Sequence, residues 1–458
     1  MDEEQFNNDL IEQFESMIEN NEQHYFDTEQ LCEIIGFYLE VGDNDYLLKA
    51  IQYAYTLYPE NIDIQIKELE FFVQTNQLHR ASERIQELQE IVNSDVDYLL
   101  AVAKFWSLNG EARKAISFFE KALESEEDLD YIYNCIGNEY LNLDEASLAL
   151  FYFKKALKVN IHNDYAFYSA MQCFEELHLI NESIEFLLQI IDEDPYYEAA
   201  WMQLGIQHLA QKNFEEAYKA FDYVTVIDPH SISGYTQKAY SLEQLEDYES
   251  AIKEYEETLA LDDTAAFTYL RIGECYRKLN KPYKALKSFH QAIQDDPQLD
   301  KAWIATSDLY ESLGNFQDAL YYLDRAIDLD SAVPEYWKRH AYLNIQLGKY
   351  EEAANDYYKM VDLEPLNFYN WIGLVETLIV IGDFKRGIQA AKKGLQNFQR
   401  AELYYQLSNC YYLDQQEEKG LEAFQKAMEL DESLRLEMYK KYPYLKRKTS
   451  NQQDNLNS

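Results

Sequence analysis

Asn134, Asn138 and Asn142 recur at every fourth residue, so on a helix their amides climb one face. An amide carries donors and an acceptor, and a ladder of them can hydrogen-bond the backbone of an extended chain without reading its sequence. Tyr131, Tyr165, Tyr168 and Tyr240 lie in the same stretch. Tyrosine adds apolar area with a polar tip at low entropy cost, a combination that suits recognition. Such residues bind rather than react. The signatures of reaction chemistry are missing: the sequence has no GxGxxG, GK[ST], GxSxG or HExxH, and its eight histidines are scattered. Five cysteines (Cys32, Cys135, Cys173, Cys275 and Cys410) are odd in number, never form a CxxC pair, and read as thiols of a reducing compartment. The expectation is a protein without catalytic residues, cofactor or metal.

The elements that position these side chains follow from composition. Glycine and proline number only 14 and 8 in 458 residues, too few for the many tight turns of a β-sandwich or barrel. Hydrophobic residues make up 47%, with 40 tyrosines, ample for a core. Helices are expected. Forty Lys and Arg against 83 Asp and Glu give a net charge of −43. Such a surface repels phosphate backbones and anionic membranes, which argues against nucleic-acid binding. No run approaches eighteen apolar residues, and the start, MDEEQFNNDL, has neither the basic nor the apolar part of a secretory signal. No membrane insertion and a cytoplasmic location are the expectations.

A fixed period orders the chain. Pro59, Pro195, Pro229, Pro297 and Pro365 are spaced by multiples of 34, as are Trp201, Trp303, Trp337 and Trp371. Ala81, Ala115, Ala149, Ala217, Ala251, Ala285, Ala319 and Ala353 keep the same ruler. Counting from Thr28, ten repeats begin at residues 28, 62, 96, 130, 164, 198, 232, 266, 300 and 334; an eleventh covers 368–400 and a twelfth 401–434. Within a repeat, Trp201, Leu204, Gly205 and His208 form one stripe of a first helix, and Ala217, Phe221 and Val224 one stripe of a second. Gly205 and Ala217 are small where two backbones come close. Gly42, Gly110, Gly314, Gly348 and Gly382 share position 15, where a first helix ends in a left-handed residue. Proline at position 32 ends the second helix, and Pro282 is placed in the turn before one.

This pattern resembles the tetratricopeptide repeat, W-x2-L-G-x2-Y then A-x3-F then P, most fully in the repeat at residue 266: Tyr269, Ile272, Gly273, Tyr276, Ala285, Phe289, Ala292 and Pro297. The resemblance implies an all-α fold, a right-handed superhelical solenoid of about twelve helix-turn-helix repeats over residues 28–434. Departures cluster at the ends: Glu68 and Leu69 stand where the family prefers Leu and Gly, and Gly387, Gly394 and Gly420 occupy alanine columns, so these repeats are expected to fray. Residues 1–27, with the stripe Phe6, Leu10, Ile11, Phe14, Met17 and Ile18, read as an N-terminal capping helix. Residues 435–447 read as a C-terminal cap and basic segment, with Leu434, Leu436, Met438, Tyr439 and Tyr442 as its apolar side. Residues 448–458 read as a disordered polar tail.

The resemblance further implies that positions 2, 5, 6, 9, 12 and 13 of each repeat face a concave groove. In repeats 1–3 those columns hold Glu29, Glu33, Glu40, Asp63, Glu70 and Asp97 against Lys67 and Lys104, read as a solvated face. In repeats 4–7 they hold Tyr131, Asn134, Asn138, Asn142, Tyr165, Tyr168, Gln172, Met202, Gln203, Ile206, Gln237 and Tyr240. Two readings remain open there: a peptide-binding wall, or uncharged residues tolerated by a crowded surface. In repeats 8–10 Arg271, Arg277, Lys301, Lys338 and Arg339 reverse the local charge. They suit an acidic segment or carboxylate, or else ion pairs such as Glu274 with Lys278. The function expected is a non-enzymatic adaptor holding a partner protein or extended peptide in the groove. The alternatives are a self-associating homo-oligomer and a scaffold for a separate enzyme.

Overall fold

A computed structural model of the protein describes residues 3–20, 24–92, 94–261 and 265–448, with side chains from residue 9 onward. Among these residues the regular elements are all helices. Two compact units are present, residues 1–197 and 198–458. The first contains an N-terminal helix, Glu3–Asn20, and repeats 1–5; the second contains repeats 6–12 and the closing helices. Each unit is an all-α array of helical hairpins.

The hairpins keep the period read from the sequence. First helices begin at Thr28, Ile62, Val96, Leu129 and Asp164 in the first unit. In the second they begin at Glu198, Ile232, Ala266, Asp300, Pro334, Phe368 and Ala401. The start at Leu129 falls one residue before the ruler, after a 3-10 turn at Leu123–Ser125 that ends the preceding hairpin. Several starts carry a side-chain cap: Asp27, Asn61, Asp95, Asn163 and Ser231 each accept a backbone N–H from the first turn.

Position 15 has positive φ in all twelve repeats. The five glycines adopt it, and so do Asn76, Asp144, His178, Lys212, Glu246, Asn280 and Gln415. The hairpin turn imposes this conformation on whatever residue occupies the column, although only glycine adopts it without steric strain. The prolines and tryptophans share a period because they touch. The indole Nε1 of Trp303 donates to the carbonyl of Pro297 at 3.0 Å, and that of Trp371 to Pro365 at 2.9 Å; Trp337 makes the same bond to Ser331, at 2.8 Å. Each bond ties the start of one repeat to the end of the one before.

Three details differ from expectation. What lies close to Gly205 is an aromatic ring: a Cβ there would sit 2.5 Å from Phe221. Pro282 is the first residue of its helix, where its missing N–H leaves no bond unmade. The second helices of repeats 11 and 12, Phe384–Asn397 and Glu417–Leu430, run their full 14 residues, and glycine stands in them where a Cβ would crowd a neighbour, Gly394 against Trp371 and Gly420 against Tyr412. The short second helices, of 11 residues, are those of repeats 2 and 3.

Leu10, Ile11, Phe14 and Met17 of the N-terminal helix are buried in one cluster with Phe26 of the connecting segment and Leu31 and Ile34 of repeat 1, while the side chain of Phe6 lies outside the described residues. At the other end Met438, Tyr442 and Leu445 close over Tyr405 and Tyr412. Leu436 points away, 68% exposed, because a seven-residue helix has only one buried stripe. Lys448 is helical and its ammonium meets Glu417. The rest of the expected polar tail, residues 449–458, lies outside the described residues.

Candidate functional site

The first helices of repeats 1–4 leave between them a cavity of about 670 Å³. Its apolar walls come from Leu39, Val73, Ala101, Leu108 and Phe119, and its polar groups from Glu40, Lys67, Glu70, Lys104, Tyr131, Cys135, Asn138, Glu139 and Asn142. Most of these residues stand at positions 6, 9, 12 and 13 of their repeats. A neighbouring cavity of about 550 Å³ shares Gly36 and Lys67 and is strongly acidic, with Glu29, Glu33, Asp63, Asp95 and Asp97 in its walls.

The charges on these walls are unevenly matched. Lys67 lies 3.0 Å from Glu70 and 2.9 Å from Asp97. Burial opposes its charge, but the two carboxylates hold the ammonium above its ordinary range. Burial likewise raises Glu70, against the pull of Lys67. The Lys104 ammonium stands 5.3 Å from the centre of the Tyr131 ring. Burial raises the Cys135 thiol above its ordinary range. Glu139 is only 4% exposed. The Ser107 hydroxyl donates to its Oε1 at 2.5 Å, and its Oε2 is buried without a partner.

The amides expected to act as a ladder have three different environments. Asn134 is turned into the hairpin stack, where it donates to Asn163 Oδ1 at 3.1 Å. Asn163 in turn caps its own helix through Ala166 and donates to Asp130 at 2.9 Å. Burial works against the Asp130 charge, yet the amides of Asn163 and Asn160 hold that carboxyl below its usual value. Asn134 is therefore a link between repeats and does not line the cavity. Asn138 does line it, with its Oδ1 bonded by the Tyr165 hydroxyl at 2.6 Å. Asn142 is exposed at the end of its helix and opens onto the cavity, as does Tyr131. Tyr165, Tyr168 and Gln172 are exposed on the next repeat. In the second unit Met202, Gln203 and Gln237 are half-buried, and Ile206 and Tyr240 are exposed.

The expected cation cluster of the second unit is largely turned on its own carboxylates. Arg271 bonds Glu243 at 2.6 Å, Arg277 bonds Glu274 at 2.9 Å, and Lys338 lies 3.2 Å from Glu335. Arg339 meets Asp308 and Glu311. Glu274 pairs with Arg277 rather than Lys278, since i,i+3 neighbours also share a helix face. Lys301 is exposed. An anion binding there would have to displace carboxylates already in place.

The reading of repeats 1–3 as a solvated face names Lys67, Glu70 and Lys104 but not the cavity they line, and it does not single out Glu139 of repeat 4. One signal was available. Position 10, the column of Cys173, Cys275 and Cys410, is filled elsewhere by Phe37, Phe71, Phe105, Gln207, Ser241, Leu309, Leu343 and Thr377. The three cysteines there are fully buried. Glu139 is the single charged residue of that column.

Family models for the tetratricopeptide repeat match residues 232–264, 270–334, 304–367 and 401–434. No curated protein matches the chain. Among solved structures it is similar to the C-terminal part of a TPR repeat-containing protein from Cytophaga hutchinsonii, 15% identical over 51% of this chain and 96% of that one, TM-score 0.41. It is also similar to a tetratricopeptide repeat protein from Parabacteroides merdae, 15% identical over 54% and 98% of the two chains, TM-score 0.35. A third similar structure is YrrB, "a TPR protein with an unusual peptide-binding site", 16% identical over 39% of this chain and 92% of that one, TM-score 0.33. Among the described residues no helix is long and apolar enough to cross a membrane.

Proposed function

We propose that the chain, a tetratricopeptide-repeat protein, is a non-enzymatic adaptor that holds an extended segment of a partner protein along the first helices of repeats 1–4. The observation that carries this reading is the cavity of about 670 Å³, in which apolar walls alternate with the polar groups of Asn138, Asn142 and Tyr131. Apolar walls with a few placed polar groups are what an extended guest needs: area to bury, and partners for its backbone. A repeat array that is already folded loses little entropy on binding, so the ordering cost falls on the guest alone.

A photo-crosslinking amino acid at Asn142, inside the proposed site, and another at Phe151, exposed on the second helix of the same repeat, test the reading. In the native cell, Asn142 should give a discrete adduct with one protein, and Phe151 should give much less of it. Equal labelling from both positions would defeat the assignment of the site.

A further inference from the structure

We propose that the cavity of repeats 1–4 receives a basic side chain, arginine or lysine, from an extended partner segment, and that the unpartnered oxygen of Glu139 is its acceptor. The inference rests on the reading of that cavity as the partner-binding groove and specifies the chemistry of the guest.

Glu139 occupies an interior column, whose other occupants include Phe71, Phe105, Cys173, Leu309 and Leu343, all buried. A carboxylate placed there is destabilising unless both oxygens are answered. Ser107 answers one. Among the described residues no cationic nitrogen lies within 4.0 Å of the other, although two ammonium groups line the same cavity. Both are engaged elsewhere: Lys67 bridges Glu70 and Asp97, and Lys104 sits over the Tyr131 ring. A positively charged donor from a partner segment would answer the remaining oxygen.

The surroundings fit a side chain rather than an ion. Leu39, Val73, Leu108 and Phe119 offer apolar wall for the methylene stem of an arginine or lysine, whose charged head would reach Oε2. Among the described residues no group of three or more His, Cys, Asp or Glu side chains could hold a metal ion, which leaves Glu139 without the company a cation site requires. The adjoining acidic cavity, with Glu29, Glu33 and Asp63, extends the negative potential along the groove. Further basic residues of the same segment would be drawn to it, and would set its direction.

The test uses the full-length protein and a fluorescein-labelled octapeptide library in which Gly, Ser, Ala and Val surround one central arginine. A twin library carries citrulline, which has the shape of arginine without its charge. Fluorescence polarisation should show the arginine library binding the wild-type protein about 10-fold or more tighter than its twin. Glu139→Gln should bring the two within about 2-fold while its melting temperature stays at or above that of wild type. Equal binding of both libraries to wild type would overturn the cation assignment and leave the groove reading standing. Binding of neither would overturn both. A Glu139→Gln variant that still prefers arginine, or that melts lower with the preference intact, would show Glu139 to be a structural partner of Ser107 only.

Discussion

Glu139 in the first unit, and Lys238 and Asp356 in the second, are the charged side chains that are almost completely buried among the described residues. Lys238 reaches Asp222 at 2.8 Å and Glu254 at 3.1 Å. Asp356 accepts from the Asn344 amide at 2.9 Å and lies 2.8 Å from His340, whose other ring nitrogen is 2.9 Å from Asp324. These are closed networks, in which every burial of charge is answered by the protein itself. Glu139 has a hydroxyl on one oxygen and nothing on the other. The difference separates two uses of buried charge: the second unit uses it to join neighbouring helices, and the first leaves one oxygen of it unpaired in the wall of a cavity. A closed network loses stability when any member is removed, whereas an open one has little of its own to lose.

The largest effect should follow from breaking the closed network. Asp356→Ala leaves His340 with a single carboxylate, and Asn344 without its acceptor. A loss of about 3–5 kcal/mol is expected, read as a lower urea midpoint for the second unit by circular dichroism. If Asp356→Ala costs no more than Glu139→Ala, the distinction between the two regions fails.

The next effect is a pH dependence confined to the same network. Burial alone would lower the His340 pKa, but its hydrogen bonds to Asp324 and Asp356 outweigh that and raise it to about 9. The folded state thus holds a proton that the unfolded chain, with an ordinary histidine near 6.5, releases earlier. The stabilisation is fully present below about pH 6.5 and is lost as pH rises through 9. Relative to His340→Gln, wild type should lose an amount of the order of 3 kcal/mol between pH 6 and 9.5. Parallel pH profiles for the two proteins would show that His340 is not held charged.

Much of the fold could be read from the sequence, because it is written in residues that do one job each. Trp303, Trp337 and Trp371 recur because each indole must meet the carbonyl at position 32 of the repeat before it. The end of the first helix was visible only where glycine marks it. His178, Lys212 and Glu246 adopt the same left-handed conformation without any compositional sign of it, since the turn is fixed by the packing of the hairpin. Less of the site was legible. Repeat positions say which face a residue is on but not what it touches, so Asn134 was grouped with Asn138 and Asn142 although it is bonded to Asn163. The cations of the second unit left two readings open, an anion site or ion pairs, because sequence gives charge without partners. Glu139 stood out in its column, but its significance depends on the empty space beside it, which no single sequence contains.

The smallest effect, and the one that isolates the open charge, comes from replacing Glu139 by leucine, which position 10 already holds at Leu309 and Leu343. The exchange removes the desolvation penalty of a carboxylate with one unanswered oxygen and adds apolar contact with the cavity wall. It also deprives the Ser107 hydroxyl of its acceptor. A serine within a helix can turn that hydroxyl to the carbonyl one turn back, as Ser241 does to Gln237 at 2.8 Å, so little is lost. The balance predicts a gain of about 1 kcal/mol in the first unit, against the large loss for Asp356→Ala. A stability gain accompanied by loss of arginine preference is the signature of a residue kept for binding at the expense of the fold. Destabilisation by more than about 1 kcal/mol would mean instead that Glu139 and Ser107 form a closed pair like those of the second unit, and the contrast between the two regions would disappear.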